Sequence, residues 1–296
     1  KHARWNKEKI FIFPSKIMKK KLSNIAGLTL IEILIAIVIS SLMMAAMFTS
    51  YTIVNSTYRQ VTDRAKISQS GRDLVGQILR EVRMAGFRYI NDNIAANDDH
   101  NPIKITKGTG IGGTCDKLEI VYGGVDYDIT KPEGSRYTYT RYKITYRCEA
   151  SDKIDDTIPG GTTKIKGFKV LKSKEKWQTT PAGWVTGTDD TLYKDEQVLD
   201  YVQDFVFVPH DEDGKIIGNI SSGTVTPSNT RAFDVRTVDV GLVIRSTKPF
   251  YRNDTKGGGV IRKVVSLTTG RNIQEKDKYL REIITVTANA RNVGLN

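Results

Sequence analysis

The sequence is poor in the residue types from which catalytic and metal sites are built. Its 296 residues include three histidines, His2, His100 and His210, and two cysteines, Cys115 and Cys148. The histidines are scattered and share no metal-ligand spacing with the cysteines, which argues against a metal centre. No nucleophile and base stand in a recognisable arrangement, so neither a catalytic residue nor a cofactor is expected. Gly108-Thr-Gly-Ile-Gly-Gly-Thr114 has the glycines of a phosphate-cradling loop, but no Lys-Ser/Thr and no helical pattern follow it. It reads as a flexible connector. Asp211-Glu-Asp-Gly214 alternates acids before a glycine as a calcium loop does, yet no glutamate closes it at the twelfth position, and a tight β-turn is the better account. Internal repeats are absent, and no second long helical pattern follows the first.

What the chain does have is one long apolar run, Gly27 to Met47, GLTLIEILIAIVISSLMMAAM. From Leu28 it is apolar for the roughly 20 residues that a bilayer core of about 30 Å demands. Ser40 and Ser41 can return their hydroxyls to carbonyls one turn back and cost a membrane helix little. Glu32 is read as lacking that local recourse. A carboxylate in a spanning segment is penalised by roughly 2.5–3.5 kcal/mol, so it asks for a partner or a function.

Ahead of the run, Met18 to Gly27 is short, basic and free of acids, and its small residue precedes the apolar stretch instead of following it. Cleavage after Gly27 would remove the charges and keep the helix. This arrangement, with an acid at the fifth position after the glycine, resembles the class III signal of type IV prepilins and type II secretion pseudopilins. The resemblance implies cleavage by prepilin peptidase between Gly27 and Leu28, and N-methylation of Leu28. It also implies pairing of Glu32 with the terminal amine of a neighbouring subunit, which opposite charges in a low-dielectric layer would favour. Leu28 stands where phenylalanine is usual. A plain signal anchor with an incidental Glu32 is the alternative. The chain opens without methionine, and Met18 would begin a leader of conventional length, so residues 1–17 are expected to precede the true start, a long leader being the other reading.

Residues 1–27 hold eight of the 45 Lys and Arg and one of the 33 Asp and Glu. The remainder, 37 against 32, is only mildly basic at +5. Basic residues before the apolar run place the N-terminus in the cytoplasm and the rest of the chain outside it. The expected localisation is a single pass through the inner membrane with a periplasmic head, then the pilus or cell surface. In that oxidising setting a Cys115–Cys148 bridge is expected, two free thiols being the alternative.

Beyond Met47 the helical pattern continues. Tyr51, Val54, Tyr58, Val61, Ala65 and Ser68 recur at three- and four-residue steps, and Leu74, Val75, Ile78, Leu79, Val82 and Ala85 extend the stripe, with no proline to interrupt it. One helix over 28–90 is expected, transmembrane over about 28–48 and ending near Gly86, with Phe87 folding back on the domain. Residues 91–296 form the head. Strands are predicted at 118–122, 137–147, 198–208, 236–245 and 283–290 from β-branched and aromatic alternation. Residues 149–192, with Trp177 and Trp184, and 209–231 read as long polar excursions, either a partner-binding surface or solvated decoration.

Three stretches carry a second resemblance. Leu79-Arg-Glu-Val-Arg-Met-Ala-Gly-Phe87, Val235 to Ser246 ending in Arg245-Ser246, and Tyr279 to Asn292 ending in Arg291-Asn292 are similar to elements of PilW-type minor pilins. The resemblance implies an α+β, type IV pilin-like fold, one long N-terminal helix packed on an antiparallel sheet. The implied function is a structural or assembly-initiating subunit of a type IV pilus whose partners are the inner membrane, prepilin peptidase and other minor and major pilins. A J-type pseudopilin of type II secretion is the near alternative. A DNA receptor of a transformation apparatus is the distant one, suggested by Arg136, Arg141, Lys143 and Arg147 but disfavoured by the small net charge.

Overall fold

The computed structural model describes residues 29–87, 101–108, 114–154, 167–187, 190–218, 224–225, 234–248, 250, 260–264, 273–277 and 279–293. A single helix, α1 (Leu30–Met84), is followed by β1 (Ile103–Thr106), β2 (Lys117–Tyr127), β3 (Tyr137–Ala150), β4 (Phe168–Thr179), β5 (Ala182–Val185) and β6 (Tyr193–His210). Then come β7 (Thr224–Val225), β8 (Thr237–Arg245), β9 (Val260–Val264), β10 (Ile273–Asp277) and β11 (Arg281–Asn289). The chain divides after Ser56 into two units. The first holds the start of α1, and the second holds the rest of it with every strand.

In the second unit nine strands form one antiparallel sheet in the order β11-β8-β6-β4-β3-β2-β1-β7, with β5 hairpinned onto β4. Strands β9 and β10 pair separately. Helix α1 packs on this sheet from Ile67 onward, where Leu74, Val75, Ile78, Val82 and Ala85 join Ile144, Tyr146, Phe205, Phe207, Val240, Leu242 and Ile244 in one core. The architecture is α+β, a long N-terminal helix packed on an antiparallel sheet, as the sequence leads one to expect. Gly71 makes the close approach workable: a Cβ there would lie 2.3 Å from Ile284 Cδ1 and 2.5 Å from Ile244 Cδ1.

The five predicted strands correspond to β2, β3, β6, β8 and β11, and β6 begins earlier than expected, at Tyr193. The reading of 149–192 as an excursion needs correction, because Phe168–Thr179 is a central strand between β3 and β6. Its alternation is masked by Lys172, Lys174 and Lys176. Lys172 and Lys174 extend over the rings of Tyr146 and Tyr142, as long cationic side chains can when their stems cover apolar surface. Trp177 and Trp184 face each other across the β4–β5 hairpin with ring centroids 5.2 Å apart. Residues 211–214 make the expected turn. Asp211 Oδ1 accepts the N–H groups of Asp213 and Lys215, and Gly214 takes a φ of 75°.

Cys115 and Cys148 are joined, their Cα atoms 6.2 Å apart, and both are buried. The link ties the connection before β2 to the end of β3.

Candidate functional site

Thr29 and Glu32 open α1 with a reciprocal capping arrangement. Glu32 N–H donates to Thr29 Oγ1 at 3.4 Å, while Glu32 Oε2 accepts the Thr29 N–H and hydroxyl, both at 2.9 Å. Two donors that a helix start leaves unsatisfied are thereby met. This corrects the expectation that Glu32 lacks a local partner; the T-x-x-E spacing at Thr29 and Glu32 was the signal. Gly27 and Leu28, the expected cleavage and methylation positions, lie outside the described residues, as does the leader.

The helix that follows is long and apolar enough to cross a membrane by length and composition, and none of its most apolar stretch is buried. Leu30, Ile31, Leu34, Ile35, Ile37, Val38, Leu42 and Met43 are all exposed. Ser40 and Ser41 donate to the carbonyls of Ala36 and Ile37 at 2.7 Å, so their hydroxyls are satisfied within the helix. Tyr51, Val54, Tyr58 and Val61 also remain exposed, so the first part of the amphipathic stripe is uncovered. What such a surface can do is enter lipid or pack against other helices.

Residues 22–48 match the prokaryotic N-terminal methylation motif. The match begins in the basic leader and runs through Gly27, Leu28 and Glu32 to the end of the apolar run. No curated protein matches the chain. Among solved structures, a type IV-like pilin, TTHA1219 from Thermus thermophilus, is similar at 10% identity and a TM-score of 0.40, over 77% of this chain and 98% of that one.

At the other end of α1 the first and third stretches of the second resemblance meet, and the third pairs with the second. Gly86 adopts a φ of 72° and donates to the Val121 carbonyl, ending the helix. A Cβ there would crowd Pro102, Val293 and the Asn292 carbonyl. Asn292 Nδ2 in turn donates to the carbonyl of Arg83 in the last helical turn at 2.9 Å. Phe87 folds back through its carbonyl, which accepts from the Gly123 N–H, while the residue remains 41% exposed. Strands β8 and β11 pair along their whole length. Arg245, buried, lies 4.0 Å over the ring of Tyr279, and Ser246 Oγ accepts the Leu280 N–H and donates to the Lys248 carbonyl.

Within Leu79–Phe87, Glu81 is the residue that joins helix to sheet. Lys172 Nζ lies 2.6 Å from it, and Tyr146 donates its hydroxyl to it. Burial, and then the negative charge of Glu81, push the Tyr146 hydroxyl far up, and the same two causes push Tyr122 up to about 12. Burial works against the Lys172 ammonium, but its hydrogen bond to Glu81 and the attached charge outweigh that and raise it above the ordinary lysine value. Sequence reasoning passed over Glu81, although its spacing from Ile78 and Ala85 places it on the apolar stripe.

The basic residues behind the DNA reading are largely matched by neighbours. Lys143 sits 2.8 Å from Glu175, and Arg147 lies 2.8 Å from Asp195 and 3.5 Å from Glu149. Arg136 donates to the Lys131 carbonyl. The Arg147 contact holds Asp195 below the usual carboxylate range despite its partial burial.

Proposed function

We propose that this chain is a minor pilin of PilW type, a structural or assembly-initiating subunit of a type IV pilus. The observation that carries the reading is the methylation motif over residues 22–48, which runs into the part of α1 whose apolar side chains, Leu30 to Phe48, are exposed among the described residues. In this reading prepilin peptidase cleaves after Gly27 and the amino group of Leu28 is methylated. Glu32 then sets axial register against the terminal amine of a neighbouring subunit. Charge pairing in a dry layer gives that register its specificity, and helix packing gives it strength. The chain performs no turnover; it is the peptidase's substrate. Its start would span the inner membrane with the sheet-bearing unit outside, before passing into the filament.

The finer assignment, to the PilW type, draws support from the junction at the end of α1. Leu79–Phe87, Val235–Ser246 and Tyr279–Asn292 are far apart in sequence, yet the third meets the first through Asn292 and Gly86 and pairs with the second along β8 and β11. The J-type pseudopilin of type II secretion shares signal and scaffold and fits the same motif. The DNA-receptor reading loses support from the ion pairs along β3.

The test is the N-terminal sequence and mass of the protein recovered from its own cells, with prepilin peptidase present and absent. The expected result is a chain beginning at N-methylated Leu28 only when the peptidase is present. A retained leader, or cleavage beyond the apolar run, would overturn the reading.

A further inference from the structure

Between β1 and β2 the chain buries a complete ion pair that neither the helix nor the methylation motif uses. The side chains of Lys107 and Asp116 have 0% exposure, and Lys107 Nζ lies 3.0 Å from Asp116 Oδ2. The same Nζ donates to the Phe207 carbonyl. Asp116 Oδ1 accepts the Gly108 N–H, and Oδ2 accepts the Phe207 N–H, both at 3.0 Å. Asp204, also fully buried, accepts the N–H groups of Cys115 and Phe205. Ile105, Cys115, Leu118, Phe205 and Phe207, which flank these groups along the chain, have no exposure either.

Two opposite charges in so dry a place lose hydration that their attraction repays only in part. The Nζ to Oδ2 hydrogen bond holds the amine against the carboxyl group at 3.0 Å. An amine and a carboxyl fixed at that separation have already lost the freedom that makes their condensation slow in solution.

We propose that Lys107 and Asp116 are a self-modification site, condensing to an intramolecular amide between Lys107 Nζ and Asp116 Cγ. Nζ forms the bond to Cγ as the Cγ–Oδ2 bond breaks. Oδ2 departs as water with two of the three ammonium hydrogens. The third hydrogen stays on the amide nitrogen, in reach of the Phe207 carbonyl. Oδ1 remains as the amide oxygen, and the Gly108 N–H already directed at it is the donor that stabilises the tetrahedral oxyanion. Nothing is oxidised or reduced, and no other reactant enters. The product replaces a buried ion pair with a neutral amide next to the Cys115–Cys148 link, so the connection between β1 and β2 is fixed twice.

The test is peptide mapping of the full chain, reduced, alkylated and digested with trypsin, then weighed and fragmented in a mass spectrometer. The expected result is a peptide Ile105–Lys117 that is uncut after Lys107 and lighter than its sequence by one water, with the loss confined between Lys107 and Asp116. Lys107→Arg should restore both cleavage and full mass. A wild-type peptide of full mass, or one cut after Lys107, would overturn the proposal. So would a water deficit that persists in Lys107→Arg, since that marks a succinimide at Asp116. The wild-type peptide decides the matter alone if the variant does not fold.

Discussion

The two halves of α1 obey different rules although they form one helix. From Leu30 to Phe48 the side chains are apolar except for Glu32, Ser40 and Ser41, and before Ser56 all but Asn55 are exposed; from Ile67 a narrower stripe is buried against the sheet. The first half is therefore stabilised by its own hydrogen bonds and by whatever surrounds it, and the second by tertiary packing. A helix with apolar residues on all sides belongs in lipid or among other helices, while one with a stripe belongs on a core. The same contrast holds for the two glutamates. Among the described residues Glu32 is matched by Thr29 within its own turn, whereas Glu81 meets Tyr146 and Lys172 of the sheet.

The contrast can be broken by matched substitutions. Ile78→Ala should lower the unfolding free energy of the sheet-bearing unit by about 2–5 kcal/mol, measured by chemical denaturation of the full chain in detergent. Ile37→Ala, the same chemical change in the exposed half, should leave that transition where it is. Equal effects would erase the distinction between the halves. Glu81→Gln should cost about 2 kcal/mol by weakening the charge-assisted bonds to Lys172 and Tyr146, and an unchanged midpoint would remove Glu81 from the account. Gly71→Val should cost about 1–3 kcal/mol, because the added atoms collide with Ile244 and Ile284.

A pH titration sharpens the same point. The Tyr122 hydroxyl is raised to about 12 in the folded chain against an ordinary value of 10.0, so the unfolded chain releases its proton first. Its contribution to stability is complete below pH 10 and is lost as pH rises toward 12; Tyr146 and Lys172, also raised, act in the same direction. Denaturation midpoints followed across that window should fall with pH, and a flat profile would contradict the burial assigned to these groups. Smallest of all, Asn292→Ala should cost about 1 kcal/mol by removing one donor from the helix end, read from the same denaturation curves.

Much of this division was legible in the sequence. The apolar run, the three- and four-residue stripe and the alternating strands follow from burial periodicity, and they marked α1 and five strands correctly in kind. Strand β4 was not legible, because lysines that lie along aromatic rings look like solvated residues in a one-dimensional pattern. The Glu32 cap was present as a spacing and was passed over because membrane cost dominated the reading of that carboxylate. Asn292 on Arg83, and Lys107 with Asp116 against Phe207, depend on contacts between distant parts of the chain. No local signal announces such meetings.

In the proposed function the charge of Glu32 serves a neighbouring subunit, beyond the capping of its own helix. Glu32→Gln separates the two roles, since glutamine can complete the cap with Thr29 but carries no charge. The measurement is the amount of this chain in purified filaments from cells expressing wild type or Glu32→Gln at equal membrane levels. The account predicts normal membrane levels and a severe loss from the filaments for the variant. Incorporation equal to wild type would contradict it and leave Glu32 as a helix cap alone.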